Sequence, residues 1–285
     1  MSTGVEPRWQ RTLTPVGIVL IVTVICLPGI WVMLTAFRPN VEVMARPPIW
    51  IPSLTLNNFR AMFGLLPAVE QGLPVIEYIR NSLVTSITST AIAVILGTMG
   101  GYAFARHKFR GKGTLFLGFM LSRTIPGVAL SLPVFILWSR LGLIDTSAGL
   151  ILVYLALNIP FTVWLTDGFF RQIPIELSQA ALIDGATRWQ AFWHVEFPLA
   201  RAGLASAAIF AFLTSWNEFA LASQLTRSVA SKTLTVGLMD YTSQFTIDWV
   251  GMCALALLII VPAFLLTFIV QRHLIEGLTF GGVKG

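Results

Sequence analysis

Six stretches of roughly 20–26 residues in this chain carry no charge or a single one, the length an α-helix needs to cross about 30 Å of hydrocarbon. They lie between Arg11 and Arg38, Arg80 and Arg106, Lys112 and Arg140, Asp145 and Arg171, Arg201 and Arg227, and Asp248 and Arg272. Arg123 interrupts the third, Asp167 falls inside the fourth and Glu218 inside the fifth. The apolar runs are continuous, whereas a membrane barrel would alternate residue by residue. Only 11% of the chain is charged, against about 25% in an ordinary soluble domain. The expectation is an all-α, polytopic membrane helical bundle. It forms one domain over residues 1–285, with six transmembrane helices at 13–37, 81–105, 114–138, 147–170, 202–225 and 249–271.

Six crossings put both termini on one side, and basic residues in short loops indicate which. The 106–113 loop, RHKFRGKG, holds four Lys/Arg and no acid; the 139–147 loop facing it holds only Arg140 and Asp145. Arg8 and Arg11 precede the first span, and Arg272 and Lys284 follow the last. Both termini are therefore expected in the cytoplasm, with the chain in the cell's inner membrane. The net charge of +6 then reflects this bias and contact with anionic lipid, not nucleic-acid binding. The first apolar run is too long for a signal peptide and has no obvious small-residue cleavage site, so it reads as a retained helix. Cys26 and Cys253 fall inside spans and read as packing residues. His107, His194 and His273 have no second ligand at metal spacing, so no metal site is expected.

The cytoplasmic connection at 171–201 is the most informative. From Pro174 it reads PIELSQAALIDGATRWQAFWHVEFPL. Proline suits a first helical turn, and Gly185 suits a left-handed stop. Thr187 with Gln190 fits a capping box opening a second short helix through Ala191 to Val195, which Pro198 should end. Trp189, Phe192 and Trp193 supply more apolar surface than so short a segment can bury. Two readings stay open on these grounds: a helix that docks in a partner's groove, or an interfacial helix with tryptophans at headgroup depth. The outer connections are a stiff RPPIWIP run (46–52) with a short amphipathic segment at 56–63, and a polar, turn-rich loop at 227–248.

The loop resembles the EAA loop of permease subunits from binding-protein-dependent ABC importers, through Gln179, Ala180, Ala181, Gly185, Phe192 and Pro198. NSL (81–83), IP (125–126), LGLIDT (141–146) and WNEF (216–219) extend the resemblance over most of the chain. The ending GLTFGGVKG (277–285) is similar to that of the carbohydrate (MalG-like) branch. The resemblance implies a permease for a sugar, oligosaccharide or polyol. Its partners would be a second permease as heterodimer, two ATPase subunits that bind ATP and Mg, and an extracytoplasmic solute-binding protein. It also implies that Glu176, Gln179, Ala180, Ala181, Asp184, Gly185 and Phe192 couple to the ATPases, with the tail residues Gly281, Gly282 and Lys284 lying against them. The motif's acidic position is Gln179 here, which loses charge assistance. Glu176, three residues earlier on the same helical face, is expected to supply it.

Charges within a span are costly and usually face protein or water. Arg123 and Glu218 are expected either to pair or to line a polar cavity, and Asp167 to anchor or gate the inner surface. Asn158, beside Pro160, and Trp216, Asn217 and Glu218 offer the amides and aromatic surface a sugar pathway needs; helix packing would serve them equally. Pro126, Pro133 and Pro160 should kink their helices. The nearest string to a P-loop, GKGT at 111–114, has Arg106 where the first glycine belongs. No cofactor is expected in the chain, which is not read as an enzyme; the competing reading is a stand-alone secondary transporter or channel.

Overall fold

The computed structural model describes residues 8–67, 72–244 and 246–279, with side chains for those between 14 and 269. The described residues are helical throughout, apart from loops and one isolated antiparallel bridge, Thr242–Ile247. In chain order the α-helices are α1 (Arg8–Ala36), α2 (Asn40–Val43), α3 (Asn57–Met62), α4 (Val75–Arg106), α5 (Lys112–Ser122), α6 (Gly127–Arg140) and α7 (Ser147–Gln172). They continue as α8 (Ile175–Ile183), α9 (Arg188–Ala191), α10 (Phe197–Trp216), α11 (Ala220–Leu225), α12 (Leu234–Gly237) and α13 (Trp249–Thr279). Five helical spans are long and apolar enough to cross a membrane, and six if the bent α5–α6 pair counts as one.

Three expectations are corrected. The third span is not continuous: α5 and α6 meet at 96° across 123–126. Pro126 has no N–H to continue the ladder and sits extended, at ψ 134°, as the N-cap of α6. The fifth span stops at Trp216, breaks, and resumes as the short α11. The second begins at Val75, six residues before Asn81, behind Pro74. In contrast to Pro126, Pro133 and Pro160 stay inside their helices.

Two compact units are present. One holds the described residues up to Leu73 together with Leu238–Leu258. In it the Asn58 amide donates to the carbonyls of Ala36 and Arg38, both at 2.9 Å, closing the C-terminal end of α1. Phe37 packs on Phe59 with ring centroids 5.0 Å apart, so the predicted amphipathic segment forms as α3. Nearly all apolar side chains along the body of α1, from Val16 to Leu34, are exposed.

The other unit holds Pro74–Gly237 and the described residues from Ile259 onward. Its centre is α4 packed along α7, with α10 against both. The buried residues of α4 recur every three or four positions, as Ser82, Ser86, Ser89, Ala93, Gly97 and Gly101. Side chains this small let backbones approach, which is how helices associate where lipid is as apolar as leucine. At Gly97 a Cβ would overlap the Thr162 side chain, and the Thr166 hydroxyl donates to the Gly97 carbonyl at 2.9 Å. Higher up, Asn158 Nδ2 donates to Ser215 Oγ at 2.8 Å, and Ser215 meets Ser89 at 3.0 Å, joining all three helices.

Gly97→Ala is expected to force α4 and α7 apart and destabilise the protein by about 1–3 kcal/mol, the usual cost of overpacking. Gly118→Ala, where a Cβ meets nothing, should be neutral or slightly stabilising. Thermal unfolding of the two variants in the same detergent, read by tryptophan fluorescence, checks the contrast.

Candidate functional site

The 174–198 segment folds much as its turn signals demand. α8 starts behind Pro174 and stops before Gly185, whose φ of +90° a side chain would oppose. Thr187 and Gln190 form the capping box in both directions, Gln190 N to Thr187 Oγ1 at 3.2 Å and Thr187 N to Gln190 Oε1 at 2.8 Å. Beyond it the structure departs from expectation: Pro198 does not end this helix. A π turn at Phe192–Glu196 follows α9, with the Phe197 N–H donating to the Phe192 carbonyl five residues back. The wider turn shifts the bonding register, and Pro198 falls in the first turn of α10, where it is tolerated. The loop's second helix is thus the base of the fifth span.

What holds the loop in place is Glu196, which the sequence reading passed over. Its carboxylate is 1% exposed and pairs with Arg106 Nε at 2.7 Å. Ser178 of α8 donates to the other carboxylate oxygen at 2.6 Å, and Arg106 also donates to the Ile173 carbonyl at 2.9 Å. One buried acid therefore ties the end of α4, the start of the loop, α8 and the π turn together. Phe192 packs beside it among Phe170, Ile173, Ala200 and Leu204. Phe192, expected to couple to the ATPases, is part of the loop's own core, 7% exposed. At the C-terminal end of α7, Arg171 Nε bonds both oxygens of Asp167 at 2.8 and 2.9 Å.

The remaining coupling candidates are presented outward. Glu176, Gln179 and Ala180 are exposed on α8, and Ile183 at its end is 85% exposed. Ala181, Asp184, Gly185, Gln190 and His194 line a groove of about 370 Å³ between α8 and the second helix. Trp189 and Trp193 belong to a different face, a groove against α4 and α10. The tail residues Gly281, Gly282 and Lys284 lie outside the described residues.

The pathway candidates separate. Arg123 and Glu218 do not pair. Arg123, at the α5–α6 bend, lies over the Phe161 ring at 4.5 Å. Glu218 fills the break after α10, accepting from the N–H groups of Leu221 and Ala222 at 2.8 and 2.9 Å, and so caps α11. Asn217 is exposed, and its amide turns back to the Leu213 carbonyl at 2.9 Å. Asn158 and Trp216 are core residues rather than lining ones: Asn158 bonds Ser215, and the Trp216 indole donates to the Ile259 carbonyl at 3.0 Å. Of the pathway candidates, Arg123 and Asn217 keep open surface.

Residues 93–279, most of the chain, match the family of binding-protein-dependent transport system inner membrane components. The chain belongs to this family. It is 37% identical to the trehalose transport system permease protein SugB of Mycobacterium tuberculosis, over 93% of this chain and 95% of that one. It is 33% identical to the maltose/maltodextrin transport system permease protein MalG of Salmonella typhimurium, over 99% of each. In fold it is similar to a chain of a bacterial ABC transporter involved in the import of alginate, with TM-score 0.76 and 21% identity over 95% of this chain and 99% of that chain.

The permease has a second carboxylate latch, at the turn between α6 and α7, that only the structure reveals. Asp145, in the left-handed region at φ 61°, accepts from the backbone N–H groups of Arg227 and Ser228 at 2.7 and 2.9 Å and from the Ser231 hydroxyl. Its own N–H donates to the Leu225 carbonyl at 2.7 Å. Burial raises its pKa, but the hydrogen bonds from Ser228, Ser231 and Arg227 outweigh it and hold the carboxyl well below the usual carboxylate range. Aspartate tolerates left-handed backbone, which is why the LGLIDT turn can aim this side chain at the 225–231 loop.

Glu196→Ala leaves Arg106 buried and unpaired, which typically costs about 3–5 kcal/mol. The expected result is an undocked loop, read as faster protease cleavage between residues 174 and 191 while span packing survives. For Asp145 the folded pKa is depressed, so its stabilisation is complete above the unfolded value of about 3.9. It is lost as pH falls toward the folded value. Asp145→Asn should therefore destabilise the protein by a constant amount from pH 5 to neutrality, roughly, with the difference shrinking in more acid solution. Unfolding curves of both proteins against pH measure it.

Proposed function

We propose that this permease is one half of a heteromeric pair that imports a sugar, oligosaccharide or polyol across the inner membrane. Two ATPase subunits would drive it from the cytoplasmic side, and an extracytoplasmic solute-binding protein would deliver the substrate. The observation that carries this reading is the 174–195 loop. Its outer face is a short exposed helix with a glycine stop, and its inner face is locked to the spans by a buried ion pair. Force applied to α8 is therefore passed to α4 and α10 directly, as a lever between an external motor and a membrane path requires. Relatives named for trehalose and maltose transport support the carbohydrate class. ATP and Mg would reside in the ATPase partners, so the chain itself would carry no cofactor and hydrolyse nothing. Both termini would face the cytoplasm, and the unburied flank of α1 offers a surface to the second permease. The stand-alone secondary transporter or channel is not what the family match supports.

On the loop, Glu176 and Gln179 both stand exposed on α8, one helical turn apart. Glu176 would provide the acidic contact that Gln179 cannot. Arg123 and Asn217 are the residues proposed to face the substrate path.

Uptake should stop on ATP depletion and survive collapse of the proton gradient; the reverse result would overturn the proposal. In the reconstituted complex, Glu176→Gln is expected to lower binding-protein-stimulated ATP hydrolysis about five- to tenfold, the effect of losing one charge-assisted hydrogen bond. Gln179→Glu should restore it. If Glu176→Gln leaves hydrolysis unchanged, the compensation is wrong.

A further inference from the structure

A groove of about 730 Å³ runs along the unit between α4 and the continuous α9–α10 stretch. Val94, Ile95, Met99, Leu204 and Ala205 give it apolar lining. His107, Arg188, Trp189, Trp193 and Arg201 line it as well. From Arg188 to Arg201 is 13 residues of helix, about 20 Å at 1.5 Å per residue. No carboxylate lines the groove, and the described ion pairs are Arg106–Glu196 and Arg171–Asp167. Both groove arginines are thus exposed cations without an acidic partner among the described residues.

We infer that this groove binds one anionic phospholipid of the cytoplasmic leaflet, its headgroup drawn by the positive charge that Arg188 and Arg201 give the groove and an acyl chain laid along Ile95, Met99 and Leu204. Charge complementarity selects the occupant. A neutral helix of another subunit would leave two cations unpaired beside hydrocarbon, whereas an anionic headgroup neutralises them, and basic pockets between spans on the cytoplasmic side bind such headgroups. Trp189 and Trp193, 5.6 Å apart and edge to face, sit where tryptophans favour the headgroup level. Arg201, one turn into α10, can lie along the apolar wall and extend its guanidinium toward that level. The π turn carries Phe192 and Trp193, which line the groove together with Trp189, while Phe192 also packs into the loop's core. The lipid would then touch the same helix that carries the coupling loop, making the loop's stance sensitive to headgroup charge.

The inference rests on the orientation proposed above. A photoreactive benzoylphenylalanine at Met99, which is 58% exposed, tests it in the complete transporter. The complex is reconstituted in vesicles of equal phosphatidylethanolamine and phosphatidylglycerol, and adducts are identified by mass. Phosphatidylglycerol adducts are expected in excess of the bilayer ratio by about fivefold for each arginine engaged. Arg188→Gln with Arg201→Gln should return the ratio to that of the bilayer, while the double lysine variant keeps most of the excess. An adduct to a polypeptide, or a lipid adduct ratio equal to the bilayer's in the unsubstituted protein, overturns the inference. Labelling of a cysteine placed at Ile183 by an impermeant reagent, in vesicles of each orientation, reads the membrane sidedness separately.

Discussion

Hydrocarbon offers no hydrogen bonds, so every backbone group, amide and charge placed in it must be satisfied by the chain itself. Nearly every unusual feature of this permease follows from that demand. On α4 the hydroxyls of Thr85 and Ser89 return to the helix's own carbonyls, to Asn81 at 2.7 Å and to Ser86 at 3.1 Å. Where α10 stops, the freed N–H groups of the next helix are taken by Glu218, and the last carbonyls by Asn217. A charge at that depth is tolerable because it has backbone donors to accept, and the break is tolerable because the charge is there. Each explains the other.

The same rule makes the coupling loop stiff. Glu196 enters a low-dielectric site only because Arg106, Ser178 and Tyr102 are arranged around it. The resulting knot connects groups separated by 90 residues of sequence. Around it, Tyr102, Phe170, Phe192 and Phe197 meet in tilted and edge-to-face contacts, so the loop is backed by packing as well as by charge. Because removing either charge strands the other, the joint is expected to fail as a unit rather than gradually.

Much of this was legible in the residues. Apolar runs of spanning length marked the membrane helices, and Gly185, Thr187 and Gln190 marked the turn and cap inside the loop, because these signals depend on local backbone chemistry. Pro126 announced a kink, and the structure makes it a 96° break. Other features were misread for a common reason. Pro198 looked like a terminator, since nothing in a linear string reveals the π turn that moves it into a first helical turn. Phe192 looked available, and Glu196 looked like one more polar residue of a cytoplasmic loop. Arg106 counted toward a basic loop while in fact its charge is spent on Glu196. For Arg123 and Glu218 a pair and a polar cavity both stood open, because depth alone does not reveal the bend and the break that give each a nearer partner.

The sequence by itself determined that this chain is a multi-helix membrane protein and where most of its apolar helices fall. Hydropathy, capping and glycine conformations act over a few residues and need no fold to express themselves. Tertiary structure alone decided which polar groups are buried, which are exposed and which carboxylate finds which donor. Asp145 and Glu196 acquire their roles from partners 82 to 90 residues away. Partnerships of that kind are selected by three-dimensional proximity and desolvation, quantities that no local pattern of residues encodes.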